Sequence, residues 1–295
     1  MAMKTEVEAD KRRKIKIPSG GTIKQLLRMP LACVGLVVIF LVIICAIFAT
    51  QIAPYDPLMQ HAGHYLESPS SMFLLGTDML GRDVLSRLIH GSRVALLVGI
   101  ASVGIGSAAG VLIGLISAYF RGWVDTVLMR IMDALLCFPS LVLAIGIIAA
   151  LGSSLINVIV AIGFGYIAGT ARIVRSQALS VAEKDFVTAA RAIGGMNLHI
   201  IARHVWPNCI APVIVLSTLG LAFAILAEAG LSFIGVGVQP PTPTWGNMLY
   251  RAFGLLDRAP LLSIVPGVAI FLTVLAFNFV GDALRDVLDP RLRGR

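Results

Sequence analysis

Residues 134–171 read ALLCFPSLVLAIGIIAALGSSLINVIVAIGFGYIAGTA, a run of 38 residues without a charged side chain. As a helix rising 1.5 Å per residue it would extend about 57 Å, roughly twice the ~30 Å hydrocarbon core of a bilayer. The run must therefore double back, and Gly152-Ser153-Ser154 marks the hairpin. Four further charge-free runs, Met29–Tyr55, Val94–Phe120, His204–Ala227 and Ala259–Gly281, are each long enough for one crossing. The sequence thus predicts an all-α membrane protein. Its six spans fall at 30–53, 94–119, 134–151, 155–172, 209–232 and 261–281.

Composition points the same way. The 295 residues are 57% hydrophobic and only 14% charged, where soluble domains are about a quarter charged. A water-soluble globule lacks the polar surface it would need. Of the 24 Lys and Arg residues, 19 fall on the side that holds both chain ends and 5 on the other. Basic residues collect on the cytoplasmic side, so both termini are predicted inside. The net charge of +8 is then a topology signal. With 7% aromatics and no base-stacking or zinc-finger pattern, nucleic acid is not an expected partner.

The first apolar run exceeds the 7–15 residues of a signal-peptide core, so it reads as a retained anchor helix. Cys33, Cys45, Cys137 and Cys209 lie in or beside spans without CxxC spacing and read as packing residues. The organisation predicted is a basic cytoplasmic arm (1–29), with Lys11-Arg12-Arg13-Lys14, a membrane domain (30–282) and a cytoplasmic tail (283–295). The membrane domain includes an outer loop, 54–93, and a large cytoplasmic loop, 173–208.

Within the outer loop, residues 78–90 pattern as an amphipathic surface helix capped by Asp78, and His61 and His64 read as solvated. Gly106, Gly110 and Gly114 repeat every four residues in the second span. Such a stripe lets two helices approach closely, within the chain or with a partner. Ionisable groups at bilayer depth are few. Glu228 stands alone near the outer end of the fifth span, either hydrogen-bonded structurally or touching substrate. Arg130 and Asp133 are spaced to pair. There is no carboxylate ladder, potassium-filter sequence or Arg-rich span, and no catalytic, cofactor or metal site is predicted.

The cytoplasmic loop contains Asp185-Phe186-Val187-Thr188-Ala189-Ala190-Arg191-Ala192-Ile193-Gly194-Gly195-Met196-Asn197. Asp185 is a suitable N-cap and Gly194 a suitable helix stop. Asn197 is suited to cap a second helix, Leu198–Val205, that Pro207 helps to end. A helix, a sharp turn and a second helix make a projecting knob. It either fills a groove on another protein or packs only on its own subunit.

This loop resembles the EAA motif of ABC importer permeases: EAA, three residues, Gly, nine residues, then I-x-L-P. Ala189, Ala190, Gly194 and Pro207 match; Thr188, His204 and Trp206 replace the Glu, Ile and Leu. With Arg191, His204, Pro207 and Asn208 it is similar to the peptide-importer branch. Three more segments resemble the second, "C"-type permease of the dipeptide/oligopeptide/nickel family. They are Gly76–Leu88, Ala227–Gly235 with Gln239–Gly246, and Ala276–Asp286 continuing through Asp289-Pro290-Arg291.

The resemblance implies a non-catalytic subunit of a prokaryotic plasma membrane (the inner membrane of a Gram-negative cell), with a type I importer architecture and a peptide or nickel-chelate cargo. It implies a related second permease, two cytoplasmic ATPases that hold ATP and Mg²⁺, and an extracytoplasmic binding protein. Membrane lipid surrounds the chain. Asp185, Thr188, Ala189, Ala190, Arg191, Gly194 and Pro207 become the expected ATPase-coupling set, with Arg191 either reaching the ATPase or capping the loop internally. Glu228, Gln239, Pro241 and Trp245 become candidate outer-side or pathway contacts, with a structural turn as the alternative for 239–246. A stand-alone secondary carrier would instead need an internal repeat and coupling-ion groups at mid-membrane.

Overall fold

The computed structural model describes residues 25–288. Most of the basic arm and the end of the tail, including Asp289-Pro290-Arg291, lie outside them. The described residues form helices α1 (Pro30–Ile47), α2 (Ala49–Ile52), α3 (Val84–Phe120), α4 (Gly122–Leu136), α5 (Ser140–Leu151) and α6 (Leu155–Ala182). After these come α7 (Asp185–Ala192) and α8 (Asn197–Ile200), a π-helical turn (Ile201–Val205), and α9 (Trp206–Phe233). Helix α10 (Trp245–Ala252), a 3₁₀ turn (Phe253–Leu255) and α11 (Leu261–Leu288) complete the order. Among the described residues five helical runs are long and apolar enough to cross a bilayer, and the bent pair α4–α5 meets the same length and composition when its two helices are taken together.

The bundle is built around α3 and α6, which run side by side. Their contact is the glycine stripe. A Cβ at Gly106 would stand 2.6 Å from the Gly163 carbonyl oxygen, at Gly110 2.6 Å from Thr170 Cβ, and at Gly114 2.6 Å from the Ala171 carbonyl oxygen. Only glycine lets these backbones meet, so the stripe serves this chain's own packing. Helix α9 closes on both, with Ser107 and Ser217 Oγ atoms 3.1 Å apart and the Tyr166 hydroxyl donating to the Leu216 carbonyl. Helix α1 lies on the periphery against α3 and α11. Arg93 donates from Nε to the Ala46 carbonyl (2.6 Å) and from Nη2 to that of Ile47 (3.1 Å), satisfying the last carbonyls of α1.

Four local expectations are corrected. Residues 134–151 are not one helix: α4 and α5 meet at 90° across Cys137-Phe138-Pro139. Proline has no N–H and disfavours helical backbone in the residue before it. Residues 78–90 are not a separate surface helix, because α3 starts at Val84 and continues for 37 residues. Its cap is Asp83, whose carboxylate accepts from the Ser86 N–H at 2.7 Å. Asp78 instead holds a turn, with Oδ1 accepting from the N–H groups of Leu80 and Arg82.

Pro207 does not end a helix. Asn197–Phe233 is one helical run of 37 residues, with the π turn just ahead of Pro207. Proline near the start of a helical segment removes no bond the segment needs, and the π turn absorbs the change of register. Asp133 pairs with Arg172 of α6 rather than with Arg130.

Single cysteines replacing His199 and Gln239, both exposed, test the sidedness in a background lacking the four native thiols. Position 199 is expected to label from the cytoplasmic face and 239 from the outer face. The reverse pattern would overturn the topology.

Candidate functional site

The cytoplasmic knob is assembled on the inner ends of α3 and α6. Lys184, not Asp185, occupies the N-cap position of α7. Asp185 is the first helical residue, where its negative charge still complements the N-terminal end of the helix dipole. Helix α7 closes at Gly194, whose φ of 81° is left-handed. The Gly194 N–H donates to the Arg191 carbonyl and the Gly195 N–H to the Ala190 carbonyl, both at 3.0 Å. This paired arrangement turns the chain sharply into α8. Met196, not Asn197, is the N-cap residue of α8. The Asn197 side chain is used elsewhere, its Oδ1 accepting from the Tyr119 hydroxyl at 2.7 Å.

One face of the knob is fixed. Val187, Ile200 and Val205 are buried with Val111, Leu115 and Ala118 of α3 and Val174, Ala178 and Val181 of α6. The Arg191 guanidinium lies 5.0 Å from the centroid of the Tyr119 ring. Of the two readings left open for Arg191, the internal contact is present in the structure. Tyr119 thus holds both halves of the knob; its only sequence signal was a polar aromatic residue at the inner end of the second span.

The opposite face is open and apolar. Ile193 is 87% exposed, Met196 77% and Leu198 76%. Asp185, Thr188, Ala189 and Pro207 are exposed as well, and Ala190 is half-buried. Large apolar side chains held in water by a braced turn mark a contact surface.

Beside the knob, two ion pairs tie α4 to α6. Arg175 donates from Nε to Asp125 Oδ1 and from Nη2 to Oδ2, both at 2.5 Å, and the Ser117 hydroxyl donates to Asp125. Arg172 makes the second pair, with Asp133. These partners come from different helices, so no local spacing announced them.

On the outer side, Glu228 is 1% exposed and its Oε1 accepts from the Ser232 hydroxyl at 2.8 Å. Ser232 Oγ in turn accepts from the Val238 N–H. Thr244 caps α10 by accepting from the Asn247 N–H at 3.1 Å. Trp245 is buried against Gly91 and donates from Nε1 to the Leu88 carbonyl at 2.9 Å. Glu228 and Trp245 are therefore occupied inside the fold, and of the two readings left open for Glu228 the structural hydrogen bond is present. Buried polar groups require such partners, and both have them. Gln239 and Pro241 remain exposed, Gln239 donating to the Gly235 and Gly237 carbonyls. Among the described residues, no three His, Cys, Asp or Glu side chains gather as a metal site.

Comparison with known proteins places this geometry. Residues 110–294 match a family model described as a binding-protein-dependent transport system inner membrane component. Residues 18–69 match one described as the N-terminal transmembrane domain of oligopeptide transport permease C. The chain is 45% identical to a di/tripeptide transport system permease protein of Pseudomonas aeruginosa, over 88% of each chain. It is 42% identical to a putative peptide transport system permease protein of Brucella suis over 94% of each. With a glutathione transport system permease protein of Escherichia coli it shares 41% identity, covering 90% of this chain and 88% of that protein. Among solved structures, an inward-facing form of the MetNI methionine ABC transporter superposes with a TM-score of 0.57 at 19% identity. That match covers 68% of this chain and 96% of the other, and it speaks for the fold alone.

Proposed function

Because the chain belongs to the family of binding-protein-dependent transport system inner membrane components, we propose that it forms one permease half of an ATP-driven importer of short peptides. It is a multi-pass membrane transport subunit, of the inner membrane in bacteria. The relatives are named for di/tripeptide, peptide and glutathione transport, and a short peptide is the chemistry common to all three. A peptide cargo rests on that common ground. The stand-alone carrier is not favoured in a member of this family.

The observation that carries the coupling role is the braced knob with Ile193, Met196 and Leu198 in water. We read it as the element that seats in a cytoplasmic ATPase. The sequence holds no G-x-x-x-x-G-K-[ST] loop, so ATP and Mg²⁺ are assigned to two partner ATPases. ATP shifts the permease because it favours the closed ATPase pair over the open one, and the shift is limited to that difference in affinity. A related second permease completes the pathway, and an extracytoplasmic binding protein delivers the peptide.

The test is uptake of radiolabelled di- and tripeptides by the complete complex in liposomes. Uptake is expected to require ATP and the binding protein. Uptake that continues without ATP, driven by an ion gradient, would overturn the ATP-driven reading. ATP-dependent uptake of a nickel chelate with no peptide uptake would overturn the cargo.

A further inference from the structure

Three arginines and a single carboxylate line a recess on the outer side, between the outer loop, the start of α3, α10 and the start of α11. The carboxylate, Asp78, is saturated. Its Oδ2 takes Arg82 Nε at 2.7 Å and Nη2 at 2.6 Å, and its Oδ1 takes the Leu80 and Arg82 N–H groups. Arg87 is left 3.7 Å from that Oδ2.

Arg87 is only 3% exposed, and its guanidinium makes one hydrogen bond, from Nη1 to the Pro57 carbonyl at 3.0 Å. A guanidinium carries five N–H donors; Arg87 spends one on that bond and turns Nε toward Asp78, and the rest are open to a further acceptor. Arg251 adds a third cation; its Nε reaches only the Asn247 Oδ1, at 3.3 Å. The remaining wall is apolar, including Val84, Met248 and Leu262. Two buried arginines and the partly exposed Arg251 thus face one saturated carboxylate here, and their remaining donors suit a further anion.

Depth narrows the source of that anion. Helix α10 packs its Trp245 on Gly91 of α3, its Gly246 on Ala229 of α9, and its Leu249 on Gly267 of α11. It therefore lies level with the outer ends of three membrane-crossing helices, where lipid phosphates sit. Tyr250 and Phe253, on either side of Arg251, are exposed, as aromatic residues are at a membrane–water interface.

We propose that this recess binds the phosphate of an outer-leaflet phospholipid, with Arg87 and Arg251 as its donors and the apolar wall beside its glycerol backbone. Inorganic phosphate offers the same chemistry from solution, and the experiment separates the two.

The purified, assembled transporter is delipidated in detergent. It is then titrated with phosphatidylglycerol, with diacylglycerol lacking the phosphate, or with inorganic phosphate, and binding is read by native mass spectrometry. Comparison with variants isolates this recess from other lipid contacts. Phosphatidylglycerol is expected to bind at least about tenfold more tightly than diacylglycerol. Arg251→Gln is expected to weaken it roughly tenfold, the size of one lost charge-assisted hydrogen bond, in a complex that stays assembled. Ala252→Phe, which fills the recess without removing a charge, should do the same.

Equal binding of the two lipids would overturn the proposal, as would unchanged lipid binding by an assembled Arg251→Gln complex. Displacement of the lipid by inorganic phosphate at equal concentration would assign the recess to free anions. Weakened binding-protein association with lipid binding intact would assign it to a protein carboxylate. Either result overturns the phospholipid reading.

Discussion

Gly110→Leu is expected to lower the amount of folded subunit in the membrane several-fold or more. A Cβ there would stand 2.6 Å from Thr170 Cβ and 2.7 Å from the Ile167 carbonyl oxygen. Backbone cannot yield as a flexible side-chain end does, so α3 and α6 must separate. Overpacking a tight core costs about 1–3 kcal/mol. Here the cost also spreads to Gly106 and Gly114, because parting the helices at one glycine opens the contact at the others.

Gly104 supplies the control. It lies on the same helix with nothing within 4 Å of its Cβ position, so Gly104→Leu is expected to leave the level unchanged. Membrane level and thermal unfolding midpoint read both variants. Equal behaviour of the two would show that the stripe does not set the α3–α6 contact.

Ile193→Asp is expected to reduce peptide uptake at least about tenfold while the subunit remains in the membrane. Ile193 is 87% exposed and contributes little to the fold of this chain. If an ATPase covers it, its burial supplies about 1.5–3 kcal/mol, and an unpaired carboxylate in its place reverses that gain. Gly194 probes the shape of the same turn. Its φ of 81° suits glycine and, among the other residues, Asn best. Gly194→Asn should therefore transport nearly normally, whereas Gly194→Trp should lower both uptake and substrate-stimulated ATP hydrolysis. Normal transport by a stably assembled Gly194→Trp or Ile193→Asp complex would remove the knob from the coupling path.

The spans were legible because a bilayer imposes a single length requirement, which the charge-free runs meet directly. The bend at Gly194 was legible too, since a left-handed turn has few residue choices. Prolines misled. Pro139 sits at a 90° elbow inside what the sequence presented as one run, while Pro207, taken as a stop, sits in the first turn of a helix that carries on. A proline's effect depends on whether the preceding turn can change register, and here that was settled by a π turn without a sequence signature.

The caps at Asp78, Asp185 and Asn197 each missed. Asp83 caps α3 in place of Asp78, whereas α7 and α8 begin one residue early, after Lys184 and Met196, with no side-chain cap, and the Asn197 side chain goes to Tyr119, a contact across 78 residues of chain. The two readings of Glu228 stayed open in the sequence because a sequence shows a polar side chain but not the partner that occupies it, here Ser232.

The helical run from Asn197 to Phe233, moving as one body, would act as a lever. Its 37 residues make a rod of about 55 Å, with the knob's α8 at the inner end and Glu228 and Ser232 near the outer end. Rotating such a rod by roughly 5° about its inner end would carry the outer end about 5 Å. A small stroke in the cytoplasm would thereby be geared up at the opposite face. The Val238 N–H bond to Ser232 Oγ, itself held by Glu228, ties that end to the outer loop, so the loop would be carried with it.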